Sequence, residues 1–205
     1  HLADERLYAH KRSRRSSETM DALLEALSLR EPGLPFHLDS VAALAVATGE
    51  LLGLDAVALD ELTRAAQLHD LGKLAVPDEI LHKEGPLDDR EWAFVRQHTL
   101  VGERILRASP DLRGVAAIVR STHERWDGTG YPDGLAGDEI PLESRILSAC
   151  DTLTATTSPR PYREQLTEEQ ALAELERHAG TQFDPAVVAA VVQAVRARVA
   201  AERTA

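Results

Sequence analysis

The chain has almost no cysteine. Cys150 is the single thiol in 205 residues, so no disulfide can close within the chain, and the usage suits a reducing, cytoplasmic compartment. Aromatic residues are scarce at 4%, and no stretch alternates apolar and polar residues as a half-buried strand does. No apolar run has the length needed to cross a bilayer. Positive charge is also short: 23 Lys and Arg stand against 34 Asp and Glu, a net charge of −11. That balance excludes a broad basic surface for a nucleic-acid polymer. A small phosphorylated ligand stays open if metal ions or a local cluster of cations offset the field. The start lacks a signal-peptide pattern, and because the first residue is His1 rather than Met, the chain reads as a domain from a longer protein.

What is present suits one soluble domain with a short extension. Hydrophobic residues make up 43% and charged residues 28%, enough for a buried core at this length. Ala and Leu dominate, which favours helix. The first 16 residues end in the basic cluster Lys11, Arg12, Arg14 and Arg15 and read as a linker or as the tail of a preceding domain, leaving 17–205 as the folded unit. Helical periodicity then predicts elements over about 18–29 and 38–52, a third from an Asp60 cap to Gly72, and a fourth from the Asp88/Glu91 capping box to Arg107. "VPDEILHKEGPL" reads as a loop or short turn. Further helices are expected over "DLRGVAAIVRSTHE", over about 142–156, after the Thr167/Gln170 capping box, and from Pro185 behind an Asp184 cap. The expected architecture is all-α, a bundle of about seven or eight helices. It is interrupted by one long Gly/Pro-rich loop, "STHERWDGTGYPDGLAGDEIP".

The histidines carry the chemistry. His69 and Asp70 are adjacent near the end of an otherwise apolar helix, where an imidazole and a carboxylate are costly to bury unless a partner compensates them. A metal would do so, and this donor pair suits manganese, iron or zinc. His37, His98, His123 and Asp151 lie on separate helical segments; each alone is an ordinary polar residue, but helices of a bundle can bring such groups to one point. Asp70 has two oxygens with which to bridge two ions, and two close ions can clamp a phosphodiester and activate a water for in-line attack. Lys73, one turn after the pair, and Arg160 and Arg163 in "PRPYR" are candidate phosphate contacts. His1, His10, His82 and His178 sit in exposed or terminal contexts and are left out of the site.

The motifs "HDLGK", "HTLVG", "HERWDGTGYPDGLAGDEIPLESRIL", "ACD" and "SPRPYR" together resemble the HD-GYP family of cyclic di-GMP phosphodiesterases, within the HD phosphohydrolase superfamily. The likeness runs from about His37 to Val192. It implies an HD-type helical bundle and a metal-dependent enzyme that hydrolyses cyclic di-GMP to the linear dinucleotide or to GMP. Iron or manganese would be held by His37, His69, Asp70, His98, His123 and Asp151. Asp70 and Lys73 become the catalytic residues, with Lys73 also the proton donor to the leaving oxygen. Lys73, Tyr131, Arg160 and Arg163 become substrate contacts.

Two departures from the family pattern sharpen the expectation. Thr122 stands where the family has the first histidine of His-His-Glu, which weakens the second metal or leaves water to complete it. Gly33 stands where members with three metals carry a glutamate, so at most two ions are expected. The alternatives are a regulatory ligand-binding module of weak or no activity, and an HD phosphohydrolase acting on another nucleotide. The segment "LADERLYAHKRSRR" is similar to the closing helix of a GGDEF cyclase domain, which implies such a domain as a partner in cis or in trans. A homodimer is a further expectation.

Overall fold

The computed structural model describes residues 18–30, 34–158, 165–202 and 204. The expected boundary near residue 16, the GGDEF-like segment, Gly33, Arg160 and Arg163 lie outside these residues. Among the described residues the fold is helical without strands; one isolated bridge joins Ala179 and Phe183. Helix α1 covers 18–30. It is followed by α2 (Leu34–Leu51), α3 (Ala56–Leu68), a 3₁₀ turn (Leu71–Ala75), α4 (Asp78–Leu81), α5 (Asp89–Val95) and α6 (His98–Leu106). After a short 3₁₀ turn come α7 (Arg113–Arg120), the long loop, α8 (Leu142–Thr157), α9 (Glu168–Arg177) and α10 (Pro185–Glu202).

The centre is built by α2, α3, α7, α8 and α10. Their inward faces bury Val41, Ala45, Leu62, Ala65, Leu68, Val115, Val119, Ile146, Leu147, Ala149, Val187 and Val191. Alanines at several of these contacts let helix backbones approach closely, while the branched residues fill the remaining volume. No helix among the described residues is long and apolar enough to cross a membrane.

Three local features differ from the pattern read in the sequence, each for a physical reason. The cap of α3 is Asp55, whose carboxylate accepts from the Val57 and Ala58 N–H groups. Asp60 lies inside the helix and pairs with Arg64 instead. The stretch expected as one helix from Asp88 to Arg107 is two, α5 and α6. The His98 ring takes the Val95 carbonyl at 2.7 Å and the Thr99 hydroxyl takes that of Arg96 at 3.3 Å, so side chains compete with the backbone for acceptors at the break. "VPDEILHKEGPL" contains the short α4. The predicted capping boxes at Asp88/Glu91 and Thr167/Gln170 are both formed, and Asp184 accepts from the Ala186 N–H at the start of α10 at 2.8 Å.

Helix α1 braces the segment that follows the His69–Asp70 pair. Arg30 donates to the Leu74 carbonyl at 2.6 Å, to the Val76 carbonyl, and to Asp78 at 2.8 Å. The turn carrying Asp70 and Lys73 is thus held from one side by α1 and from the other by α6.

Candidate metal centre

The site begins where α3 stops. His69 caps the helix, and its Nδ1 lies 2.9 Å from the Ala66 carbonyl. A carbonyl can only accept, so Nδ1 carries the proton and Nε2 keeps its lone pair. His98 repeats the device at the start of α6, with Nδ1 donating to Val95 three residues earlier. In both cases an unpaired carbonyl at a helix end fixes the tautomer that a metal ligand needs.

Gly72 brings these two histidine-bearing segments together. A Cβ on Gly72 would lie 1.8 Å from the His98 carbonyl oxygen, so only glycine permits the turn to press against α6. Across the turn, the Asp70 carboxylate is buried and its Oδ2 stands 2.7 Å from Lys73 Nζ and 3.5 Å from His69 Nε2. Burial alone would raise the Asp70 pKa, but the Lys73 ammonium, then the neighbouring histidines, hold it well below the carboxylate range.

Helix α2 contributes His37 and α8 contributes Asp151. His37 Nε2 is 3.0 Å from Asp151 Oδ1, which also lies 3.7 Å from His69 Nε2. Ligand atoms of His37, His69 and Asp151 all fall within 4.8 Å of one another. The pKa of Asp151 would rise with burial, but its bond to His37, then the electrostatic influence of the nearby His69 ring, lower it.

His123 follows α7. Its ring lies 4.9 Å from that of His98 and stacks on Tyr131 at 5.1 Å. Burial, then repulsion from His98, pushes the His123 pKa down to about 3; burial likewise lowers that of His98. These rings are therefore neutral donors at ordinary pH.

The donor set fits a divalent ion. His98 Nε2 is buried and lacks any hydrogen-bond partner among the described residues, a costly state that a coordinating cation would relieve; His37 meets Asp151 through its Nε2. All six ligands expected from the sequence stand in this region: His37, His69, Asp70 and Asp151 in direct contact, and His98 and His123 beside them with their rings 4.9 Å apart. Lys73 and Tyr131 border the same space. Thr122 does not: its hydroxyl donates back to the Ile118 carbonyl at 3.1 Å within the core.

The loop after His123 is held by a residue whose role the sequence did not reveal. Glu124 is buried, and its carboxylate accepts from three successive backbone N–H groups, those of Asp133 at 2.7 Å, Gly134 at 3.1 Å and Leu135 at 3.1 Å. Gly130 packs against the same hinge, where a Cβ would come within 2.4 Å of the Arg125 nitrogen. Arg120 reinforces it with a two-pronged contact to Asp133 at 2.6 and 2.7 Å and a further bond to Glu103. At the far end, the Trp126 and Asp127 N–H groups donate to Gln182 and Thr181. Tyr131 is thereby positioned over His123. The carboxylate immediately after the His123 position was the only available hint of this clamp.

The sequence pattern of the HD domain family matches residues 5–187. The chain belongs to the HD domain family. Its Gly130-Tyr131-Pro132 loop and its relatives put it in the HD-GYP branch. This HD domain is 39% identical over 181 residues to the cyclic di-GMP phosphodiesterase response regulator RpfG of Xanthomonas campestris, covering 87% of this chain and 48% of that protein. It is also 39% identical over 175 residues to the 3'3'-cGAMP-specific phosphodiesterase 2 of Vibrio cholerae, covering 84% of this chain and 34% of that protein. The HD domain thus spans less than half the length of these two relatives. Among solved structures, a cyclic GMP-AMP specific phosphodiesterase of V. cholerae superposes with a TM-score of 0.68 at 23% identity, over 88% of this chain and 48% of that one. That likeness supports the helical HD fold.

Proposed function

We propose that this HD domain is a metal-dependent phosphodiesterase that hydrolyses cyclic di-GMP to the linear dinucleotide, to GMP, or to both. The observation that carries the reading is the convergence of His37, His69, Asp70 and Asp151 beside His98, whose buried Nε2 is left without a partner among the described residues. His37, His69, Asp70, His98, His123 and Asp151 would hold two divalent ions, iron or manganese. Ions bound there supply Lewis acidity toward a phosphodiester oxygen and a water of lowered pKa as nucleophile.

The protein's own groups do the rest. Lys73, 2.7 Å from Asp70, is kept close to the centre by its carboxylate partner and is the donor of a proton to the leaving oxygen. Tyr131 lines the entrance, stacked on His123. Arg160 and Arg163, outside the described residues, are assigned to the substrate phosphates. Thr122 takes no part in binding metal, which leaves water to complete the coordination on the His123 side. A GGDEF domain in cis or in trans and a homodimer belong to the same proposal, as does a cytoplasmic location.

A second reading keeps the chemistry and changes the base: the similarity to a 3'3'-cGAMP-specific phosphodiesterase makes the mixed cyclic dinucleotide the first alternative substrate. The test is turnover by the purified domain loaded with manganese or with iron, offered cyclic di-GMP and 3'3'-cGAMP side by side. Asp70→Ala is expected to abolish turnover and to remove bound metal. Failure to cleave either dinucleotide with either metal would sink the enzymatic reading.

A further inference from the structure

The other described arginines that touch the long loop are each paired with acids. Arg120 pairs with Glu103 and Asp133, Arg125 with Asp127, and Arg145 with Asp138 and Asp184. Arg96 differs. It caps the end of α5, is exposed, and forms no ion pair among the described residues. Its guanidinium carbon lies 5.3 Å from the centroid of the Tyr131 ring, and Tyr131 in turn stacks on His123. A path of stacked planar groups therefore leads from the metal centre outward, His123 to Tyr131 to Arg96, and ends in a guanidinium that makes no side-chain hydrogen bond among the described residues.

The position matters because of the substrate's charge. A cyclic dinucleotide carries two phosphodiesters, only one of which can sit at the reacting centre at a time. The chain as a whole is acidic at −11, so the other phosphate needs a local cation to be tolerated. Among the described residues, Lys73 is bonded to Asp70 inside the centre, whereas Arg96 stands on the outer side of Tyr131. A guanidinium held over an aromatic face is partly ordered before the ligand arrives, and its fork matches two phosphate oxygens.

We propose that Arg96 binds the non-reacting phosphate of the cyclic dinucleotide at the rim of the site. This rests on the phosphodiesterase reading above. The experiment uses the metal-loaded 205-residue domain and two substrates, cyclic di-GMP and bis(p-nitrophenyl) phosphate, a diester with one phosphate and nothing to reach the rim. Arg96→Ala is expected to raise KM for cyclic di-GMP about 10- to 100-fold, the range of a charge-assisted hydrogen-bonded contact, with kcat within about twofold. Kinetics on bis(p-nitrophenyl) phosphate and bound metal should stay unchanged. Arg96→Lys should recover part of the loss, because it keeps the charge without the planar fork. An unchanged KM for cyclic di-GMP in Arg96→Ala would overturn the proposal, as would a parallel loss on both substrates, which marks a structural role. A wild-type domain that cleaves only bis(p-nitrophenyl) phosphate, or neither diester, overturns the parent reading and this assignment with it, an outcome distinct from a failure of Arg96 alone.

Discussion

Replacing Glu124 tests whether one buried carboxylate organises the loop that covers the site. Its Oε1 accepts from the Asp133 and Gly134 N–H groups and its Oε2 from that of Leu135. In Glu124→Gln the amide oxygen can keep the first pair, but the NH₂ group then faces the Leu135 N–H, donor against donor. One charge-assisted bond is lost, for about 1.5–3 kcal/mol. Glu124→Ala removes both acceptor oxygens and all three bonds. Three bonds at the low end of that range sum to roughly 4–5 kcal/mol, and water reaching the exposed backbone of Asp133 and Gly134 reduces the expected loss to about 3–4 kcal/mol. Urea denaturation of the metal-free domain at neutral pH measures both. Limited proteolysis should show new cleavage between residues 125 and 136 in the alanine variant before global unfolding. A loss below about 1 kcal/mol for Glu124→Ala, or equal losses in the two variants, would refute the clamp.

Two further outcomes follow from the site. Burial places the His123 pKa near 3 against an ordinary 6.5 and lowers that of His98; the unfolded chain therefore binds protons below pH 6.5 that the native chain refuses. The metal-free domain should lose stability as pH falls from about 6.5 toward 3, by at most about 1.4 kcal/mol per pH unit for each histidine, with Asp70 and Asp151 adding the same sign below pH 4. Urea midpoints at pH 7.5, 6.0 and 5.0 check this; a flat or rising series contradicts it, and His123→Gln should shallow the slope. Separately, Thr122→Val should leave bound metal unchanged and cost no more than about 1 kcal/mol, because the hydroxyl serves Ile118, whose carbonyl also accepts from Ser144. A fall in metal content in that variant would make Thr122 a ligand after all.

The helical class was legible because its signals are local. Periodicity and reciprocal caps such as Thr167/Gln170 need only neighbours four residues away, and they formed where expected. The break between α5 and α6 was not legible, because it depends on the His98 ring choosing the Val95 carbonyl over solvent. Nor was the choice of Asp55 over Asp60 as a cap, since both are acidic residues followed by good helix formers. The candidate ligands could be named from residue type and motif, but their convergence could not.

By itself the sequence determined the all-α class and the inventory of donors. Only the tertiary structure decided which donors meet: Asp151 reaches His37 and His69 because α2, α3 and α8 pack face to face. It also decided that Thr122 turns back into α7, that Glu124 holds the loop, and that Arg96 ends over Tyr131. Chemistry is a property of side-chain type, which the sequence states outright. Distance between residues 114 positions apart, as for His37 and Asp151, is set by the packing of whole helices, and no local pattern carries it.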